Sequence, residues 1–560
     1  MSISYHTNNW PVPRSREDRQ SLKGRLAQYE QDLAVLEPQL AALRHRILEI
    51  KMQLAHARLL PMDVVYEILD RWTEVDPDAP LTARRICSQW RDATSYHART
   101  WRKIHVNSLL LGRNAKDKWK TWIENARNTL LDMSIHWVSQ DQQEMSEEEW
   151  AYGNAENLLM TKIVSMTSSS AYHWRSLSIR FDTWRILLEI IKIFASHQLS
   201  RVSLVHMKEL SIVAEETPGH SPYIQEFPEN FWLFNIVPHL RSFSCLGIRP
   251  RPVSFFATLQ SLTLGRFDYE TTAAIIPLVE ACPALEELSL IDQQIFRDEE
   301  RGKRTMLTHR SLRRLRLLET SYVYEIIGDE GLINSVLPML NLPNLSQLQL
   351  GKFGEEGVWH PSKDASPVLT EATEIGETLL DFIKRSNPPL EAMQLVGIPM
   401  NDAQLFACLC HMPRMRYLEI KVSNVGADLF WALAEVDQVM PPHASIVCPA
   451  LEYLHLVGCP GVSGDALLAL ARSRGRLNKR WVSEDKANNE HAEQQDLRPL
   501  KALQVHACPE VDQYAADIDA ALPNRGFLFT GTGDYGDSSK IYHLSSIPFE
   551  WDEMLSACMN

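Results

Sequence analysis

The sequence predicts an α/β chain: an N-terminal heptad helix, then a small helical unit, then a long array of short parallel strands joined by returning helices. Three observations carry that expectation. Apolar residues fall at a strict 4-3 spacing through residues 22–54. A cluster of large apolar side chains occupies residues 58–106. From residue 130 to residue 505 the frame L-x-x-L-x-L then recurs eleven or twelve times in order.

Length and charge bound the function before any motif does. At 560 residues the chain is too long for one compact domain unless it is a repeat array. With 45% hydrophobic and 23% charged residues it sits in the globular range. The 57 basic residues against 71 acidic ones leave a net charge of −14, which argues against a nucleic-acid binder. Nine cysteines, scattered and without a C-x-x-C pair, fit a reducing compartment better than a disulfide framework. The first twenty residues have no apolar core of a signal peptide. The most apolar stretch, "WRILLEIIKIFA", carries Arg185, Glu189 and Lys192 and is too short to span a bilayer. The expectation is a soluble intracellular chain, cytoplasmic or nuclear, with neither membrane nor nucleic acid as partner.

Residues 1–21 are polar with two prolines and read as disordered. The heptad helix, 22–57, begins with Leu22, Leu26, Tyr29, Leu33 and Leu36 and continues with Leu40, Leu43, Ile47, Ile50 and Leu54. Five heptads in register form a coiled-coil seam. Pro38 sits in its middle and costs a continuous helix about 3 kcal/mol, so a kink or two shorter helices is expected there. Two readings of the seam stay open: packing on the protein's own body, or a homodimer through residues 22–54.

The unit at 58–106 opens with "LLPMDVVYEILDRW", where Leu60, Val64, Val65, Ile68 and Leu69 recur at helical spacing and Pro61 suits the first turn. The loop "TEVDPDAP" ends that helix. "LTARRICSQWRDATSY" makes a second, with Leu81, Ile86, Cys87 and Trp90 apolar, and "RTWRKIHVN" closes the unit with Trp101, Ile104 and Val106. Two short helices cannot bury so many large apolar side chains alone. The order and spacing of Leu60-Pro61, Val64-Val65 and Ile68-Leu69, then Ile86-Cys87-x-x-Trp90-Arg91, then Trp101, resembles the F-box. The departures are Asp63 for Glu, Val64-Val65 for Ile-Leu, and Leu69 for Phe. The resemblance implies docking on the Skp-type adaptor of a cullin–RING ubiquitin ligase. Leu60, Pro61, Val64, Val65, Ile68, Leu69, Cys87 and Trp90 would form the docking unit. Pattern alone does not separate those that touch the adaptor from those that pack inside.

Beyond residue 107, "CPALEELSL" (282–290) and "CPALEYLHL" (448–456) agree at seven of nine positions. Both contain the L-x-x-L-x-L frame. The other frames start at 130, 174, 199, 240, 259, 312, 345, 390, 415 and 500, so that starts lie 19 to 49 residues apart. The shorter spacings match leucine-rich repeats, and the longer ones hold insertions, near 140–157 and 475–499. Each frame predicts a short parallel strand whose leucines enter a shared core, followed by a helix that returns the chain. "LEYLHLVGCPGVSGDALLALARSRG" is one complete unit: strand 451–456, a turn from Gly458 to Gly464, and a helix capped by Asp465. It resembles the cysteine-containing repeats often found behind F-boxes, with Cys459 at their cysteine position and Cys508 similarly placed. Both cysteines read as small buried fillers of the turn.

A solenoid of such units puts its parallel strands on the concave face and its helices outside. Alternate strand residues then face out on the concave side. The frames place Ser261, Thr263, Glu287, Ser289, Arg314 and Arg316 there, then Gln347, Gln349, Tyr417, Glu419, Tyr453 and His455, and lastly Gln504 and His506. The basic pair Arg314 and Arg316, and the group Tyr417, Glu419, Tyr453 and His455, are the candidate substrate-binding residues, because tyrosine and arginine are enriched at interface hot spots.

The polar stretches at 140–150 and 477–499 read as loops, and 526–560 as a last strand and a cap. A literal G-x-G-x-x-G at Gly531, Gly533 and Gly536 lacks the following helix and distal acid of a dinucleotide site, so it reads as a turn. Cys408, Cys410 and His411 lie close together without a second ligand pair, and read as a helix end in the repeat core. No catalytic residue, metal site or cofactor is assigned. The expectation is a non-catalytic substrate-recognition adaptor of an SCF-type (Skp/cullin/F-box) ubiquitin ligase. The F-box at 58–106 docks the adaptor and cullin, and the array at 107–525 binds a protein substrate. The alternative is a scaffold that dimerises through its heptads without ubiquitin chemistry.

Overall fold

Ser15 and Asp18 start the first helix with a reciprocal pair. The Ser15 Oγ accepts from the Asp18 N–H at 3.0 Å, and the Ser15 N–H donates to Asp18 Oδ2 at 3.2 Å. Helix α1 therefore begins at Arg16 and runs to Gln53. Residues 16–21, expected to be disordered, are thus helical, and the Ser-x-x-Asp box is the signal that places them there. The chain stays in one helix across Pro38, whose missing N–H leaves the Ala34 carbonyl without its helical donor.

The computed structural model describes residues 15–53, 60–108, 115–138, 155–168, 170–196, 204–214, 237–248, 250, 254–265, 268–269, 275–291, 294–295, 306–320, 331–353, 369–423, 425–434, 447–480, 498–506, 508, 510–522 and 526–530. The loop at 140–150, most of the insertion at 477–499 and the glycine motif at 531–536 lie outside the described residues, as do Leu54 and Cys558. The chain divides into two units. One is Met1–Arg102 with Asn125–Arg127, and the other is Lys103–Glu124 with Asn128–Asn560.

In the first unit α1 is followed by three short helices: α2 (Met62–Val75), α3 (Ala79–Ala83) and α4 (Ser88–Tyr96), with a 3-10 turn at Ala98–Trp101. Pro61 precedes α2, where no helical N–H is required. Val65, Leu69, Ala83, Cys87, Trp90 and Ala93 form the core, and Leu60, Tyr66, Ile68 and Trp72 pack against it half-buried. Trp101 is fully buried and donates its indole N–H to the Thr94 carbonyl at 2.6 Å. The unit ends at Arg102, so Ile104 and Val106 do not close it.

Those two residues belong instead to the first strand of the second unit, a 14-stranded sheet that is parallel throughout. Its strands are β1 (Lys103–Asn107), β2 (Leu131–Trp137), β3 (Trp174–Phe181), β4 (Glu209–Ala214), β5 (Ser242–Leu246) and β6 (Ser261–Gly265). They continue as β7 (Glu287–Ile291), β8 (Arg314–Thr320), β9 (Gln347–Phe353) and β10 (Ala392–Val396). The last four are β11 (Tyr417–Lys421), β12 (Tyr453–Val457), β13 (Ala502–His506) and β14 (Gly526–Thr530). Each pairs with the next in chain order. Such strict succession needs a crossover between every pair, and helices such as Trp184–Ser196, Leu369–Ser386 and Gly464–Arg480 lie in those crossovers.

The leucine frame explains the register. Leu288, Leu315, Leu348, Met393, Leu418, Leu454 and Leu503 are paired across successive strands, and all are at most 1% exposed. A one-residue slip would turn every one of them to the other face. The strand after β3 is Glu209–Ala214, with Met207, Leu210 and Ile212 in the frame positions, whereas the frame expected at 199–204 lies, except for Leu204, outside the described residues. In the unit at 451–480 the strand is Tyr453–Val457, and its helix starts at Gly464 with the Ser463 hydroxyl accepting from the Ala466 N–H, rather than with Asp465 as cap. Cys459 and Cys508 are fully buried in the turns, as fillers are.

The residue following a strand turns the backbone left-handed at Gly247 (φ +78°), Gly397 (φ +63°) and Gly458 (φ +60°). A Cβ at Gly397 would collide with the Lys352 carbonyl oxygen. Val422 follows β11 and holds the same conformation at φ +57°, at a steric cost a glycine escapes.

Candidate protein-interaction surfaces

Within the first unit the eight motif residues separate into two groups. Val65 and Leu69 are fully buried, and Cys87 and Trp90 are nearly so. Leu60 and Ile68 are half-buried, while Pro61 and Val64 are exposed. Pro61, Val64 and Ile68 follow one another at helical spacing, so they share one side of α2. Two apolar residues outside the motif group, Met62 (37%) and Ile86 (40%), are also exposed. Polar contacts fix the frame beneath. Gln89 Nε2 donates to the Leu60 carbonyl at 2.6 Å, and His97 Nε2 lies 2.8 Å from Asp70 Oδ1 while its ring stacks on Tyr66. The α2 entry is thus tied to α4, and the exposed apolar side chains stand on a fixed base.

In the second unit the side chains between the frame leucines form rows on the opposite sheet face. One row runs Thr263, Ser289, Arg316, Gln349, Gln394, Glu419, His455, Gln504, each paired with the next. The row beside it runs Ser261, Glu287, Arg314, Gln347, Ala392, Tyr417, Tyr453, Ala502. Arg314 and Arg316 on β8 are therefore separated from Glu419 on β11 by the amides of β9 and β10. Gln394 joins this row from the frame at 390, though it is not among the residues expected from the sequence.

Glu419 is the electrostatic centre, at 4% exposure. Gln394 Nε2 donates to its Oε2 at 2.7 Å and the Tyr417 hydroxyl donates to the same oxygen at 3.1 Å. Lys421 Nζ lies 2.7 Å and His455 Nδ1 3.0 Å from Oε1. Burial pushes this carboxyl up, but His455 and Lys421 overcome it and hold it down to about 2. Burial pushes the Arg316 guanidinium down to about 10, against the opposing pull of Glu287. Tyr417 is buried at 5%, whereas Arg314, Tyr453, His455 and His506 are half-buried. His455 and His506 meet edge to face with ring centroids 5.2 Å apart. At the strand ends of the same face Leu318 and Val396 form a small apolar cluster with Ile291. Among the described residues, Ser289 Oγ, Gln349 Oε1 and Gln394 Oε1 are buried without a hydrogen-bond partner.

Elsewhere, Cys408 is buried with its thiol pushed up to about 12 by burial, whereas Cys410 and His411 are exposed. Among the described residues no group of three or more His, Cys, Asp or Glu could hold a metal ion, and no helix is long and apolar enough to cross a membrane.

No family model matches the chain, and no curated protein matches it. Among solved structures, the crystal structure of the Rad7 and Elc1 complex in yeast aligns with 15% identity and a TM-score of 0.32. It covers 73% of this chain and 89% of that one. Likeness at that level carries no argument about fold or function.

Proposed function

We propose that the chain is a non-catalytic substrate receptor of an SCF-type ubiquitin ligase. Residues 60–102 act as an F-box that docks a Skp-type adaptor and, through it, a cullin. The parallel sheet acts as a leucine-rich-repeat solenoid whose polar face binds a protein substrate. Catalysis then belongs to the partner enzymes, and this chain supplies proximity. It works in the cytoplasm or nucleus, needs no cofactor, and carries no catalytic residue.

The observation that carries this reading is the partition of the motif. Half of its residues build the core, and the remainder leave Pro61, Val64 and part of Ile68 outside it on one side of α2, beside an exposed Met62. A unit that merely filled its own core would have no use for that surplus. On the sheet, Arg314, Arg316, Tyr453 and His455 retain exposure to meet a substrate, while the buried Tyr417 and Glu419 lie among them, with Glu419 holding His455. Unpaired buried polar atoms cost about 1–3 kcal/mol each, and such costs concentrate where function requires them.

The test is a pull-down of the full chain with a recombinant Skp-type adaptor, beside Val64→Asp. The wild type retains the adaptor at about one-to-one stoichiometry, and V64D loses it while its thermal unfolding is unchanged. Equal retention of both chains, or of neither, would overturn the assignment.

A further inference from the structure

Among the described residues, nothing covers α1 from Arg16 to Ile47. Every described side chain from Ser15 to Ile47 is exposed, including eight large apolar residues of the 4-3 stripe, which stand 46–60% open. Burying one such side chain is worth about 1.5–3 kcal/mol, so a stripe of eight is a strong driving force for pairing. The 3.5-residue period is that of a helix wrapped around another helix. Pro38 lies on the side of the helix away from the stripe, where its ring meets no partner.

Charge chooses the occupant and its direction. The positions flanking the stripe are acidic in the first half (Glu30, Asp32, Glu37) and basic in the second (Arg44, Arg46). In a parallel pair of identical helices each flanking residue meets one five positions further along the other copy. Arg25 would then meet Glu30 favourably, but Asp32 would meet Glu37 and Arg46 would meet Lys51. In an antiparallel pair centred beside Pro38, Leu36 packs on Leu40 of the second copy, Leu33 on Leu43, and Tyr29 on Ile47. Glu30 then faces Arg44 and Asp32 faces Arg46, and two-fold symmetry repeats both pairs. Like charges meet only at Glu37 in the centre and between Lys23 and Lys51 at the ends.

We propose that α1 is the dimerisation element of this protein, pairing antiparallel with α1 of a second copy. With a rise of 1.5 Å per residue, the two Gln53 ends lie about 45 Å apart along the rod. This pairing is independent of the adaptor role and stands or falls without it.

Light scattering on the full chain tests it. The wild type elutes at twice the 64.1 kDa chain mass. The exposed double variants Glu30→Arg/Asp32→Arg and Arg44→Glu/Arg46→Glu each elute at the monomer mass, and an equimolar mixture of the two returns to the dimer mass. A monomeric wild type would show that another segment or another partner covers the stripe. An R44E/R46E chain that stays dimeric would indicate the parallel pair, in which R46E faces Lys51 favourably. Failure of the mixture to recover the dimer would equally overturn the proposal.

Discussion

The two halves of the sheet share one register and one apolar frame, yet the central row of their polar faces differs in kind. From β2 to β6 the row carries Ser134, Ser178, Ser211, Ser244 and Thr263, short hydroxyls that are half-buried. From β8 to β13 the same row carries Arg316, Gln349, Gln394, Glu419, His455 and Gln504. The leucines behind the two rows are interchangeable, because they answer only to the shared core. The row residues answer to something else, since nothing in strand pairing asks for an arginine or a buried glutamate. In that row, one half of the sheet carries only short hydroxyls and the other carries the long polar and charged side chains.

Substitutions can break that contrast. Glu419→Ala strips a buried carboxylate from Gln394, Tyr417, Lys421 and His455 at once, and should lower the stability of the sheet by roughly 3–5 kcal/mol in urea titration. Ser211→Ala, at the matching position in the quiet half, should stay within about 0.5 kcal/mol. Equal effects would dissolve the distinction. Gly397→Ala should cost about 1–3 kcal/mol, from the left-handed backbone and the collision with the Lys352 carbonyl.

Acid sharpens the comparison. The Glu419 carboxyl is held at about 2, below its ordinary value of 4.5, so it binds its proton less readily folded than unfolded. Its contribution is fully present above pH 4.5 and is lost as pH falls from there toward 2. The advantage of the wild type over Glu419→Gln in a urea series should therefore shrink across that window and stay flat from pH 5 upward. An advantage that grows on acidification would show that the carboxylate is not what the neighbours hold. The smallest expected change is in the other unit: Val64→Asp at an exposed site should leave unfolding within about 0.5 kcal/mol, whereas burying the charge by Leu69→Asp should unfold the unit.

Much of this was legible in the residues. The frame placed most of the strands because a leucine buried at every second position leaves little freedom of register. It missed the strand Glu209–Ala214, whose frame positions are Met207, Leu210 and Ile212, because two of the three are not leucine. It also missed β1, since Ile104 and Val106 fitted a helical closure as well as a strand. The facing of Tyr417 and Glu419 followed from alternation, but their burial did not, because alternation names a face and not what stands near it. In the first unit, the spacing that resembles an F-box could not separate Val64 from Val65: adjacent residues on a helix point about 100° apart, and only packing shows which one meets the core.

The docking claim rests on that last distinction, and amide hydrogen exchange of the full chain with and without a Skp-type adaptor tests it most directly. The account predicts adaptor-induced protection confined to residues 60–68 and 84–88, with the polar sheet strands unchanged. Protection of the sheet alone, or none at saturating adaptor, would contradict it.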